Sequence, residues 1–528
     1  MPRSDSPRCR THREGARCHE LAQDPVRAKI SWLAPLLPQA TADVTGPPPP
    51  WRVLSTASTS ELHRLAARPW DVVVVGSGNA ALVAAISARQ IARRVLVLER
   101  APRHLRGGNS RHTRNIRCAH DRGDTFTPGT YSVEELCSDL QVVGGADSPT
   151  LARFAAEESR TIPQWMAEHG VRWQPALTGT LNLSRTNRFF LGGGTALINH
   201  YVRTAENAGV EVAYEAAVSD LLVTDDRTVE RVELDSPDGR IGISTRSVVV
   251  ASGGFEANHE WMKRYWGGAA ENFLVRGTPF NDGSVLALLI SLGAGIVGDP
   301  RGFHAIAVDA RAPRFDGGIA TRLDSVPFSI VVDRNGRRFA DEGSDIWPRR
   351  YASWGRLIAD QSEQVAYSVY DSRAARHFMP SMFPAYTGST IAAVALAAQL
   401  DGKGLEATVA EFNNHIDPRG RFDPSGLDGC MTLGLTPPKS NWAMPIEMPP
   451  FYILPLRPGI TFTYMGVAVN DHAQVLNSHG EPFTNLYAAG EVMSGNILSK
   501  GYLAGFGLTI GAVFGRIAGR EAATHAPH

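Results

Sequence analysis

Four consecutive valines closed by a glycine turn constrain this chain more than any other feature. Asp71-Val-Val-Val-Val75 is short, apolar and β-branched, the pattern of a strand buried on both faces of a parallel sheet. Gly76-Ser-Gly78-Asn79-Ala80-Ala81 follows at once and opens an alanine- and leucine-rich helix expected from about 80 to 91. Val95-Leu-Val-Leu98 then reads as a second strand, ended by Glu99. Strand, glycine turn, helix and strand within about 30 residues make a βαβ unit. Gly76 permits the tight turn and Gly78 lets the backbone approach a pyrophosphate. Ala81 stands where a third glycine is usual and still allows close helix–strand packing. The helix N-terminus offers free N–H groups and the positive end of a dipole to phosphates. Glu99, about 20 residues on, is placed to accept hydrogen bonds from an adenosine ribose. The fold class expected is α/β with a Rossmann-like dinucleotide-binding domain.

The remaining punctuation places other elements. Ser132-Val-Glu-Glu135 has capping-box spacing, and Ser148-Pro149 reads as N-cap and first helical residue. Gly192-Gly-Gly194 opens a helix through Ala205, with strands at Val210–Tyr214 and Ser247–Ala251 after it. Residues 299–455 mix strands, turns, helices and many prolines, which predicts a separate α+β unit. It splits the dinucleotide-binding domain into 69–298 and 456–528, and the chain closes on a glycine-rich helix from about Gly505 to Ala523. Residues 1–68, rich in Arg, Pro, Ser and Thr with prolines at 47–50, are expected to form a loosely ordered extension.

Composition excludes several functions. The 53 Lys+Arg balance 53 Asp+Glu over 528 residues, so there is no general positive field to meet nucleic acid. Cys9, Cys18, Cys118, Cys137 and Cys430 show no regular spacing, so no disulfide framework, iron–sulfur cluster, c-type haem or other metal site is expected. Sparse thiols suit a reducing cytoplasm, and no apolar run approaches the roughly 20 residues of a membrane span.

Three later segments decide which dinucleotide. Gly107-Gly108-Asn109-Ser110 follows the second strand, Ala251-Ser-Gly253-Gly254 ends a later one, and Leu486-Tyr-Ala-Ala-Gly490-Glu491 sits near the C-terminus. With the βαβ unit, this set resembles the fumarate reductase/succinate dehydrogenase flavoprotein superfamily, from about residue 70 to 523. The resemblance implies a non-covalent FAD held by Gly76, Gly78, Asn79, Ala80, Ala81, Glu99 and Arg100. It adds Gly107, Gly108, Asn109, Ser110, Val218, Ala251, Gly253, Gly254, Gly490 and Glu491, with Gly505 and Leu508 at the last helix, whose N-terminus would face the flavin. It also implies that 299–455 is a capping domain that carries substrate groups.

Longer strings resemble tricarballylate dehydrogenases within that superfamily. They include Gly107-Gly-Asn-Ser-Arg-His-Thr-Arg-Asn115, Arg185-Thr-Asn187, Val308-Asp-Ala-Arg-Ala-Pro313, Trp347-Pro348 with Arg350-Tyr-Ala352, Leu456–Tyr464 and Lys500-Gly-Tyr502. The implied reaction oxidises tricarballylate to cis-aconitate, with hydride passing to flavin N5. The sequence departs from fumarate reductases where Thr463-Tyr464 replaces a histidine before Met465-Gly466, and where Tyr502 stands for an arginine. Arg373 and Arg376 lie near, but do not match, the cap arginine of that family. Tyrosines at these places resemble 3-ketosteroid dehydrogenases.

Desaturation beside a carboxylate needs a base, a hydride acceptor and cations that hold the carboxylates. Arginine suits the last task because its planar fork meets a carboxylate with two bonds. Arg111, His112, Arg114 and Arg117 form the densest cationic cluster inside the core sequence, beyond the N-terminal extension; Arg111, His112 and Arg114 are candidate substrate ligands, with Arg311, Glu342, Arg350 and Lys500. Arg457, His304, Tyr464 and Tyr502 are the candidate catalytic groups. Arg457 would clamp a carboxylate, and one tyrosine would act as the base with Lys500 depressing its phenol. Rival readings are a ketosteroid-type desaturase, a fumarate-type reductase and a non-catalytic flavoprotein or assembly factor. The resemblance further implies a separate membrane-bound electron-transfer protein that reoxidises the flavin, which would bring a cytoplasmic protein to the periphery of the inner membrane.

Overall fold

The valine strand Trp70–Val75 lies at the centre of the main sheet. It pairs in parallel with Val95–Leu98 on one side and with Gly239–Val250 on the other. Parallel pairing continues outward to Glu211–Ala213 and to Pro482–Ala488. Val72, Val73 and Val74 have no exposed surface, and burying each stabilises by about 1.5–3 kcal/mol. The computed structural model describes residues 55–143, 149–176, 183–315 and 321–525, without the side chains at 347 and 348. The expected N-cap at Ser148 lies outside these residues.

The helix Asn79–Arg89 packs against the last helix, Phe506–Thr524. Its glycines recur every four residues along one face. A Cβ at Gly515 would stand 2.5 Å from the Ala80 carbonyl oxygen, and one at Gly519 would strike that of Ala84. Glycine here lets the two backbones touch, which brings both helix N-termini to the carboxyl end of the parallel sheet. Ligands bind there in open α/β sheets. One half of the expected capping box forms: Glu135 N–H donates to Ser132 Oγ at 3.1 Å, beside the helix Val133–Val143, while the Glu135 carboxylate pairs with Arg185.

A second sheet is built on the long strand Phe451–Thr463. Phe303–Asp309 and Ala366–Asp371 pair antiparallel with it, and Leu274–Val275 pairs in parallel. The strand runs through residue 455 without a break and pairs within the second sheet from Phe451 to Thr463. The register between Phe303–Asp309 and its partner shifts at His304/Ala305. Such an irregularity re-aims a side chain, and His304 is the residue it turns.

One expectation needs correction. Residues 55–68, placed by composition in a loosely ordered extension, contain the helix Thr59–Ala66, capped by Ser58 Oγ. Leu62 and Leu65 are fully buried, and Trp70 Nε1–H donates to the Leu65 carbonyl at 2.9 Å. Two leucines at helical spacing outweigh the polar composition around them. Residues 1–54 lie outside the described residues.

Candidate active site

The glycine turn sets the first wall of a long cavity. Gly76 has φ +102°, and a Cβ there would meet the Ala251 carbonyl oxygen at 2.6 Å. Glu99 is buried beside the turn, accepting from Ser77 Oγ–H and from Ala101 N–H at 2.7 Å. Burial pushes its carboxyl above the usual range, although those hydrogen bonds favour the carboxylate. Arg100 is held by Asp282 at 2.6 Å. Ser110 Oγ accepts from Asn79 N–H at 3.0 Å, and Asn79 Nδ2–H reaches the Leu508 carbonyl at 3.0 Å. That last bond ties the N-termini of the two glycine-packed helices together.

The cavity runs from the glycine turn to the N-terminus of the last helix. Gly76, Gly78, Asn79, Ala80, Glu99, Arg100, Gly108, Asn109, Ser110, Val218, Ala251, Gly253, Gly490, Glu491, Gly505 and Leu508 line it. Ala81, Gly107 and Gly254 stand behind this wall. Ala81 is fully buried, Gly107 N–H donates to Ser77 Oγ at 3.1 Å, and a Cβ on Gly254 would strike Glu491 and Thr463. Two helix N-termini, an acid placed for a ribose and glycines that admit close approach fit an FAD.

The far end of the cavity differs in chemistry. His112, Arg114, Arg276, His304, Arg322, Tyr351, Phe462 and Tyr502 converge there. The His304 ring stacks on Tyr502 with centroids 3.8 Å apart and planes 2° from parallel. Its Nε2 lies 3.4 Å from the Tyr351 hydroxyl, and its buried Nδ1 has no protein partner among the described residues. Burial, then the charges of Arg276 and Arg322, hold this imidazole well below its ordinary pKa, so it is neutral. Arg322 is paired with Asp324 at 2.6 Å, and Arg276 donates to Thr461 Oγ1 at 3.3 Å. Arg114 is half-buried. Burial first, then Arg322 and Arg276, pull its pKa down to about 10, and its buried Nη2 has no protein partner among the described residues.

The structure corrects several candidates. Tyr464 is fully buried behind the cavity wall and donates to the Gly501 carbonyl at 3.0 Å. Lys500 is exposed. Burial, with neighbouring tyrosines, raises the phenols of Tyr464 and Tyr502 rather than lowering them, so neither is a base primed by Lys500. The Tyr502 hydroxyl accepts the Gly507 N–H at 3.0 Å, at the start of the last helix. Arg457 points away, to the carbonyls of Glu363 and Asn272 at 3.0 and 3.3 Å. Arg311 closes on Asp309 at 2.6 Å, and Glu342 is buried against Arg338 while accepting Val331 N–H. Arg111 donates to the His104 carbonyl at 2.9 Å, and Arg350 lies near Asp341 and Asp345. Tyr502 lines the cavity, whereas Tyr464, Lys500, Arg457, Arg311, Glu342, Arg111 and Arg350 do not.

Arg276 and Tyr351 were missed. Tyr351 stands within Arg350-Tyr-Ala352, directly after two arginines. Arg276 follows a two-residue strand, Leu274–Val275, and carries no motif; its cue is Gly277, where a Cβ would collide with Asn109.

Replacing Gly76 by alanine tests the first wall. The positive φ costs about 1–3 kcal/mol for a residue with a Cβ, and the Ala251 carbonyl must also move. We expect Gly76→Ala to keep well under half the flavin of the wild type after desalting, read from the flavin-to-protein absorbance ratio. Equal ratios would refute this account of the turn.

Comparison with known proteins agrees with the cofactor wall. A family model described as FAD binding domain matches residues 71–503. NADH:fumarate oxidoreductase of Klebsiella pneumoniae is 28% identical over 87% of this chain, which spans 48% of that protein's length. 4-Oxocyclohexanecarboxylate 2-dehydrogenase of Sinomonas cyclohexanicum is 28% identical over 77% of this chain and 72% of its own. The solved 3-ketosteroid-Δ4-(5α)-dehydrogenase of Rhodococcus jostii superposes with a TM-score of 0.67 at 22% identity, over 89% of this chain and 99% of its own. Among the described residues no helix is long and apolar enough to cross a membrane.

Proposed function

Since the chain belongs to the FAD binding domain family and is an FAD-dependent oxidoreductase acting on carbon–carbon bonds, we propose that it oxidises a saturated bond flanked by carboxylates, converting tricarballylate to cis-aconitate. One observation carries this reading. Arg114, Arg276 and Arg322 face the same end of the cavity, while Asp324, paired with Arg322, is the only carboxylate among the charges acting most strongly on Arg114. Such a cluster is costly unless anions complete it. The residues 299–455 act as the cap that brings Arg322, Tyr351 and His304 over the cofactor.

Arg114 and Arg276 hold substrate carboxylates by charge-assisted hydrogen bonds and spread the charge that builds on an enolate-like carboxylate as the α-proton leaves. His304 takes that proton at Nδ1. Tyr502 fixes the ring by stacking, and Tyr351 fixes the other nitrogen. FAD held along the glycine-lined wall would supply the hydride acceptor for the β-carbon, and a separate electron-transfer protein would take up its electrons.

A second reading has support in the tyrosines. Tyr351 and Tyr502 both face the cavity, which suits a desaturase acting beside a ketone, as the names of two relatives suggest. Anaerobic titration separates the two. Stepwise bleaching of the flavin by tricarballylate, with none by 4-androstene-3,17-dione, is the expected result. Bleaching by the steroid alone would replace the proposal. Reoxidation of reduced enzyme by fumarate, without bleaching by tricarballylate, would assign a reductase.

A further inference from the structure

Two buried glutamates that the reaction above does not use stand against each other beside the cofactor cavity. Glu256 is 2% exposed and Glu491 8%. Glu491 lines the cavity and Glu256 lies behind it. Glu491 Oε1 accepts Thr463 N–H at 2.7 Å and Thr463 Oγ1–H at 3.1 Å. Glu256 Oε1 accepts from Asn109 Nδ2–H and from Asn281 Nδ2–H at 2.9 Å. These donors are all neutral. Glu256 Oε2 meets no N–H or O–H donor of the protein among the described residues, and the two side chains are in hydrogen-bond contact. Glycine at 254 makes room for the Glu491 carboxyl, with which a Cβ there would collide. Two carboxylates cannot hydrogen-bond to each other; the contact requires a proton on one of them. Burial, and for Glu491 the neighbouring acid, pushes both carboxyls up, Glu256 to about 7, as expected for like charges sharing a dry site.

We propose that Glu256 is a positioning residue acting through Glu491: the two carboxyls share a proton, which keeps the Glu491 face of the FAD cavity from carrying a full negative charge. Reduced flavin gathers negative charge, and a bare carboxylate in that wall would oppose it. The inference rests on FAD binding alone. It stands or falls independently of which carboxylate is oxidised.

Glu256→Gln keeps every hydrogen bond, since its carbonyl accepts from Asn109 and Asn281 while its amide donates to Glu491. It removes the shared proton and leaves Glu491 ionised. At fixed potential and neutral pH, the ratio of reduced to oxidised flavin in purified E256Q should fall about tenfold against the wild type, a midpoint about 30 mV lower for a two-electron couple. Glu491→Gln, which removes the charge nearest the cavity, should not lower the midpoint. In the reduced-minus-oxidised infrared difference spectrum, the wild type should show a protonated-carboxyl band that shifts in D2O and is lost in E256Q. A midpoint for E256Q equal to or above that of the wild type would overturn the proposal. If E256Q fails to retain flavin, the wild-type infrared spectrum decides, and absence of the band would overturn it.

Discussion

Arg114→Met should lower kcat/KM for a polycarboxylate about a hundredfold to ten-thousandfold and, in the same protein, raise the melting temperature without substrate. The first effect follows from two charge-assisted hydrogen bonds at about 1.5–3 kcal/mol each, with each tenfold in rate equal to about 1.4 kcal/mol. The second follows from what Arg114 costs the empty site. It is half-buried, the charges of Arg276 and Arg322 bear on it, and its buried Nη2 has no protein partner among the described residues. A methionine of similar length carries no charge to bury. The wild type should also gain stability from saturating tricarballylate, about 2.7 kcal/mol at a hundred times its Kd, and the variant should lose most of that gain. Scanning calorimetry with and without tricarballylate, beside steady-state rates, reads all three. A variant that is less stable and equally active would mean that Arg114 is a structural arginine and that the anion site lies elsewhere.

The same stretch shows how far the sequence could be read. Residues 107–117 were legible as a flavin-side loop with clustered cations, but not as to which cation faces where. The short helical turn Gly108–His112 leads Arg111 outward to the His104 carbonyl. Arg114 precedes the strand Asn115–Arg117 and enters the cavity. Arg117 is buried on the Ala504 carbonyl and the Tyr131 hydroxyl. Three arginines within seven residues thus have three different roles, set by a turn and a strand edge. The glycine turn was legible because backbone conformation is a local property. Arg276, Tyr351 and the Glu256–Glu491 contact depend on sheets that meet only in the folded chain, and no spacing in the sequence carries them. Arg457, Arg311 and Glu342 failed for a related reason: each finds a partner on its own side of the second sheet, and satisfied charges have nothing left to offer a ligand.

His304→Phe should lower kcat about a hundredfold to ten-thousandfold, the usual range for a lost general base, while KM changes less than tenfold. Phenylalanine keeps the ring stacked on Tyr502, so the loss tests the nitrogen and not the packing. The imidazole looks too weak a base without substrate, because burial and then Arg276 and Arg322 hold its pKa well down. Bound carboxylates change that balance. They neutralise the arginines and place negative charge near the ring, which raises its affinity for a proton. The acid limb of kcat, which reports the complex, should therefore lie at higher pH than the acid limb of kcat/KM, which reports the free enzyme. Stability gives an independent check with a defined sign. His304 takes up a proton near pH 6.5 in the unfolded chain but resists it in the native protein. Its contribution is fully present above about pH 6.5 and is lost as pH falls toward the depressed native value. His304→Phe should thus flatten the loss of stability below about pH 6.5 in denaturant titrations. Coincident acid limbs, together with a phenylalanine variant that keeps its kcat within about tenfold, would remove His304 as the base and leave proton removal to another group at that end of the cavity.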